Sequence, residues 1–181
     1  MKIENESYTI TRTFVDFPDD DGDAVIVFLR GCQHNCKGCH SPSLQNFVEI
    51  KNTHFFIEDI IDVANSFNKT RKVVFSGGDP LHPLHLKKIE YVCDVLKSYG
   101  FSICIYTGHK IDYVKMAFKG AFDFIKCGRY IEEEKQVSGK DDNGMTLASR
   151  NQNFYNGKFK RLSKNGKLVW RKTWIQKMMQ I

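Results

Sequence analysis

Two hydrophobic periods alternate along this chain, and that alternation constrains its fold more than any other feature. Ala24-Val25-Ile26-Val27-Phe28-Leu29 is an unbroken apolar run, the pattern of a strand buried on both faces. Residues 56–67 then change to helical spacing, with Ile57, Ile60, Ile61 and Ala64 on one side. Lys72-Val73-Val74-Phe75 predicts a second strand. Residues 84–99 predict a second helix, with Leu86, Ile89, Val92, Cys93 and Leu96 inward and Gly100 placed as its left-handed stop. Residues 101–106 and 122–127 read as further strands, with a helix over 111–118 between them. Strands and helices joined by short links imply a parallel sheet with helical crossovers. Sites in such sheets are built from loops at the carboxyl ends of the strands. A cysteine-bearing loop, Gly77-Gly78, Thr107-Gly108 and Gly128 all follow strands at that end, so they predict one site.

The 181 residues suit one domain with a core of its own. Residues 1–155 carry the alternating pattern. Residues 156–181 form a basic extension with eight lysines and arginines and no acid, in a chain of net charge +6. Phe159-Lys160-Arg161-Leu162 and Leu168-Val169-Trp170 flank Asn165-Gly166, a hairpin signal, and 173–179 suit a short amphipathic helix. Such a tail meets nucleic acid or an acidic partner, or is simply a solvated surface. No run approaches the roughly 18 apolar residues of a membrane span. The N-terminus lacks the charged-then-apolar order of an export signal, so a cytoplasmic protein with reduced thiols is expected.

The densest cluster of chemistry is Gly31-Cys32-Gln33-His34-Asn35-Cys36-Lys37-Gly38-Cys39-His40. Three thiolates on one short loop can wrap one metal centre, and two centres fit. A zinc ion would take Cys32, Cys36 and Cys39 with His34 or His40. A cubane iron–sulfur cluster would leave its fourth iron without a protein ligand, and an open metal position is a substrate site. His40 adjoins Cys39 and must fold straight back to share an ion, and zinc modules usually pair two separated ligand pairs. Spacing therefore favours the cluster and leaves zinc open. Gly31 and Gly38 allow close backbone approach, with N–H groups able to tune the centre.

Directly after a buried strand, this Cys-x-x-x-Cys-x-x-Cys loop resembles the signature of the radical S-adenosylmethionine superfamily. The chain resembles in particular the activating proteins of anaerobic (class III) ribonucleotide reductase. The matching stretches are Phe28-Leu29-Arg30-Gly31-Cys32, Phe75-Ser76-Gly77-Gly78-Asp79-Pro80-Leu81-His82-Pro83, Tyr106-Thr107-Gly108, Gly128-Arg129-Tyr130 and Ala148-Ser149-Arg150-Asn151-Gln152, together within residues 14–155. The chain departs from that pattern at three places. Asp19-Asp20-Asp21-Gly22-Asp23 stands where the family often has Gly-Pro-Gly. His40-Ser41-Pro42 is similar to activases of the pyruvate formate-lyase type. Cys127 stands where the family typically has aspartate.

The resemblance implies an α/β fold: an incomplete (β/α) barrel of radical S-adenosylmethionine type, with the C-terminal β-hairpin tail beyond it. It implies one [4Fe–4S] cluster on Cys32, Cys36 and Cys39, and S-adenosylmethionine on its open iron. Gly38, Cys39, His40, Gly77, Gly78, Asp79, Thr107 and Gly128 are the expected contacts to that ligand. No catalytic side chain is expected beyond the cluster and S-adenosylmethionine. Asp79 either holds the ligand's amino group or caps the next helix. Thr107 and Gly108 either face the ligand or form a plain loop. Cys127 reads rather as a buried thiol, and His82 as structural. The implied activity is that of an oxidoreductase: reductive cleavage to a 5′-deoxyadenosyl radical, which makes a glycyl radical on anaerobic ribonucleoside-triphosphate reductase. The implied partners are the catalytic subunit of that reductase and a flavodoxin-like reductant, with no membrane and no direct nucleic-acid binding. The rival readings are an activase of another glycyl-radical enzyme, a small radical enzyme acting on a metabolite, and a zinc-stabilised nucleic-acid module.

Overall fold

The chain is described, in a computed structural model, over residues 1–15, 22–66, 69–136 and 147–162. It enters through β1 (Lys2–Glu4) and β2 (Tyr8–Val15) and continues into β3 (Gly22–Leu29). Three crossovers follow: α1 (Thr53–Asn65) leads to β4 (Lys72–Gly77), α2 (Leu86–Ser98) to β5 (Ser102–Thr107), and α3 (Ile111–Ala117) to β6 (Phe124–Cys127). β7 (Asn153–Asn156) comes last. All seven strands form one sheet whose spatial order is the chain order. β3, β4, β5 and β6 are parallel, whereas β1, β2 and β7 pair antiparallel at the two sides. The four strands and three helices read from the periodicity are thus present within a few residues of their expected bounds.

Local chemistry explains the boundaries. Asn52 caps α1 by accepting from the N–H groups of His54 and Phe55 at 3.0 and 3.2 Å, which starts the helix three residues before its apolar stripe. α2 stops at Gly100, whose φ of 79° lets Phe101 N–H reach back to the Leu96 carbonyl at 3.0 Å. β2 was not foreseen, although Tyr8, Ile10 and Arg12 alternate with three threonines. Its Tyr8 and Ile10 join the main core.

The helices all pack on one face of the sheet. Val25, Val27, Leu29, Val73, Phe75, Ile103, Ile105 and Ile125 meet Phe56, Ile60, Val63, Ile89, Val92, Leu96 and Val114 there. The alternate residues turn to the other face, where Ala24, Ile26, Val74 and Cys104 pack against Leu147, Phe154 and Leu162. Both faces of β3, β4 and β5 are therefore covered, which is why their runs are continuously apolar. Toward the carboxyl ends the second face changes character, presenting Ser76, Tyr106 and Lys126.

The chain turns back after β7, and Tyr155 bridges Arg161. β7 runs across the boundary drawn at 155/156, and Leu162, 2% exposed, is part of the second-face core. The hairpin about Asn165-Gly166 and the helix over 173–179 lie outside the described residues, as does most of the acidic stretch. Among the described residues no helix is long and apolar enough to cross a membrane.

Candidate functional site

Beyond β3 the chain is pinned before it reaches the first cysteine. Gly31 N–H donates to the Leu44 carbonyl at 2.8 Å and Cys32 N–H to the Gln45 carbonyl at 2.9 Å. The loop between these anchors carries Cys32, Cys36 and Cys39, all free and half-buried. The backbone N–H of His34 donates to the Cys32 sulfur, and Ser41 N–H to Cys39 Sγ at 3.4 Å. Burial pushes the Cys32 thiol up, the His34 N–H pulls it down, and the charges of Asp79, Cys36 and Cys39 push it up again. A thiol so placed keeps its proton unless a cationic group comes beside it.

The loop forms one wall of a cavity of about 340 Å³. Of the residues expected at the site, Cys32, Cys36, Cys39, His40, Gly77, Gly78, Thr107 and Gly128 border this space. They come from the carboxyl ends of all four parallel strands. Gly38 and Asp79 do not border it. Gly38 lies beneath Tyr130 and Glu132, where an added Cβ would meet the Tyr130 ring at 3.4 Å and press into the Glu132 carboxylate.

Gly77 requires its residue type. Its φ is 95°, and a Cβ there would stand 2.7 Å from both the backbone nitrogen and oxygen of Leu29. That contact lets β4 lace directly onto the cysteine loop: Gly78 N–H donates to the Leu29 carbonyl at 2.8 Å and Asp79 N–H to the Gly31 carbonyl at 2.7 Å.

Asp79 is 0% exposed and knots three strand ends together. Its carboxylate accepts from the Thr107 hydroxyl at 2.8 Å, Gly108 N–H at 2.9 Å, Leu81 N–H at 2.9 Å, and Nε2 of His34. Burial pushes the carboxyl up, but the hydrogen bond and charge of His34, with His109 and Thr107, outweigh it and hold the group below the usual aspartate range. His34, Asp79 and His109 have ligand-type atoms within 4.8 Å of one another. The Asp79 oxygens are already filled by four donors and His109 Nε2 stands against the Gln33 amide at 3.3 Å, so the trio is not an open ion cage. Among the described residues it is the one such close group, and the three cysteine sulfurs are not in it.

His82 and His85 serve the scaffold. His85 is buried, its Nε2–H donates to the Arg30 carbonyl at 2.6 Å, and burial pushes its imidazole down. His82 stacks on Phe47 with centroids 5.2 Å apart. Cys93 and Cys104 are buried in α2 and β5, as their patterns predict.

Several cavity residues escaped the sequence reading. Lys126 borders the cavity, whereas its neighbour Cys127, read as a buried thiol, turns to the helix-side core, where burial pushes it up to about 12. Two-residue strand alternation carried that signal, since Ile125 and Cys127 share the face opposite Phe124 and Lys126. Tyr130 faces His40 across 4.8 Å, and its hydroxyl donates to Glu132 at 2.6 Å. Asn151 and Gln152 hold this wall: Asn151 donates to the Arg129 carbonyl at 2.8 Å and Gln152 to the Gly128 carbonyl at 3.0 Å.

The parallel strand ends of this sheet gather three free thiols beside a glycine-rich cavity. The chain belongs to the 4Fe-4S single cluster domain family, whose profile matches residues 19–178. It is similar to the anaerobic ribonucleoside-triphosphate reductase-activating protein of Escherichia coli K12, at 29% identity over 68% of this chain and 85% of the relative. The proteins of the same name from Vibrio cholerae and Enterobacteria phage T4 are 28% and 29% identical, covering 66% and 64% of this chain and 82% and 76% of theirs. No solved structure matches the chain. The chain is therefore an iron–sulfur protein related to reductase activators.

Proposed function

We propose that this protein is a radical S-adenosylmethionine activase that places a glycyl radical on anaerobic ribonucleoside-triphosphate reductase. The observation that carries the reading is the convergence of four strand-end loops on one cavity walled by three half-buried thiols. In this reading Cys32, Cys36 and Cys39 hold a [4Fe–4S] cluster, and S-adenosylmethionine sits on its open iron. The bound pair supplies one-electron cleavage of the C5′–S bond, giving methionine and a 5′-deoxyadenosyl radical that takes a hydrogen atom from a glycine Cα of the reductase. The electron comes from a flavodoxin-like donor. The protein's own residues bind, orient and exclude water. Gly77 and Gly78 offer backbone to the ligand's amino end. Gly38 and Cys39 shape the cluster side, His40 closes the near wall, and Thr107 and Gly128 bound the far one. Asp79 acts from behind, through the loops it ties. The sheet is the wall of an incomplete barrel whose open side admits the reductase glycine loop. The basic stretch of residues 156–181, whose first residues complete β7 and the second-face core, docks on an acidic face of the partner in the cytoplasm.

Anaerobic purification tests this. The expected product is a brown protein with about four iron and four sulfide per chain. Under dithionite it should turn S-adenosylmethionine into methionine and 5′-deoxyadenosine, and it should raise a glycyl-radical doublet in electron paramagnetic resonance of the coexpressed reductase. A colourless zinc protein refutes the proposal.

A further inference from the structure

We infer that Lys126 is the anchor for a carboxylate inside the cavity, three strands along the sheet from the cysteine loop. The inference rests on the reading of this cavity as an S-adenosylmethionine site.

Lys126 lies in β6 and is directed away from the helix-side core that takes its neighbours Ile125 and Cys127. Its side chain borders the cavity, and Nζ stands 3.9 Å from the centroid of the Tyr106 ring. Tyr106 is held edge-on by Phe154 at 5.8 Å, so the ring is a fixed platform. Among the described residues no carboxylate faces this ammonium, and burial pushes it down to about 8. A group with that value is still mostly protonated near neutrality.

Other lysines of the protein that lie partly within it are treated differently. Lys97 pairs with Asp123 at 2.8 Å, and Lys88 pairs with Glu49 at 2.7 Å. Lys126 alone among these three leans on an aromatic face, which offsets only part of the cost of leaving water. An ammonium kept in a ligand cavity without its anion is a site for one. S-adenosylmethionine carries two cationic centres, its ammonium and its sulfonium, and one carboxylate. Lys126 repels the first two. A carboxylate remains, either the methionyl group of the ligand or one on the polypeptide that reaches over it.

The test uses cluster-loaded protein and equilibrium dialysis under anaerobic conditions. The probes are S-adenosylmethionine, its carboxylate-free analogue S-adenosyl-3-methylthiopropylamine, and purified anaerobic ribonucleoside-triphosphate reductase. Lys126→Met and Lys126→Arg are compared with the wild type. Removing an unpaired charge from the cavity wall does not weaken the fold, so the thermal midpoint of Lys126→Met should be no lower than that of the wild type. If the methionyl carboxylate is the ligand, Lys126→Met weakens S-adenosylmethionine about tenfold or more and leaves the analogue unchanged, and Lys126→Arg restores most of the loss. If the carboxylate belongs to the polypeptide, both small molecules bind as before and the reductase binds about tenfold more weakly. Unchanged binding of all three probes overturns the inference, and so does an equal loss for S-adenosylmethionine and its analogue. A wild type that binds neither small molecule refutes the reading of the cavity, and the inference with it.

Discussion

Asp79→Asn replaces one oxygen by an amino group and leaves the side chain's shape alone, so it isolates what the buried carboxylate contributes. In the native protein one oxygen takes Leu81 N–H at 2.9 Å and the Thr107 hydroxyl at 2.8 Å, and the other takes Gly108 N–H at 2.9 Å and Nε2 of His34. The asparagine carbonyl can keep the first pair. Its amino group then confronts two groups that donated to the carboxylate and have no other acceptor among the described residues. Hydrogen bonds to a charged acceptor contribute about 1.5–3 kcal/mol each, and a buried donor left without one costs about 1–3 kcal/mol. Two such losses, softened by relaxation, give a destabilisation of about 3–5 kcal/mol, a large share of the roughly 5–15 kcal/mol that holds a typical domain. Urea unfolding of the cluster-free protein under reductant, followed by far-ultraviolet circular dichroism, measures it. Thr107→Val should cost about 1–2 kcal/mol, and the double variant should fall slightly short of the sum, because the Thr107 bond that Asp79→Asn keeps is no longer to a charged acceptor. A loss below about 1 kcal/mol in Asp79→Asn refutes the description of Asp79 as the knot between three strand ends.

Three further outcomes follow from the same geometry. The Asp79 carboxyl is held below its ordinary range, so its stabilisation is present above the unfolded value near 3.9 and is lost as pH falls through it toward the folded value. The gap in urea midpoint between wild type and Asp79→Asn should therefore narrow below about pH 4, and a gap that stays constant contradicts the lowered value. Gly77→Ala puts a methyl 2.7 Å from the Leu29 backbone at a φ of 95°, which should cost more than about 3 kcal/mol and prevent stable cluster loading; an unchanged urea midpoint rules this out. Native cluster-free protein treated with iodoacetamide at pH 8 should be labelled at Cys36 and Cys39 and spared at Cys93 and Cys127, whose thiols burial pushes far up; mass spectrometry that finds Cys127 labelled early would show that it is not enclosed as described.

The site was legible where chemistry follows chain order. Three cysteines in eight residues, a glycine pair after Phe75 and a Thr-Gly after Tyr106 announce themselves, and the strand–helix alternation already put them at one end of a parallel sheet. Lys126 was the opposite case. Adjacent strand residues face opposite sides, and which side holds the cavity depends on where helices and the returning chain pack. Asp79 was weighed between the ligand and a helix cap. Its actual donors come from His34, Thr107 and Gly108, 28 to 45 residues away, and from Leu81 nearby. Asn151 and Gln152 had no visible role until β7 brought them beside Gly128 and Arg129.

By itself, then, the sequence determined the alternating strands and helices, the thiol loop and the single end of the sheet at which the loops gather, because those depend on periodicity and spacing within a few residues. Only the tertiary structure decided that a buried carboxylate ties the loops from behind and that Lys126 faces the cavity. Those depend on which atoms long-range strand pairing brings within hydrogen-bond distance, and on which face of each strand remains open once the core has closed over the other.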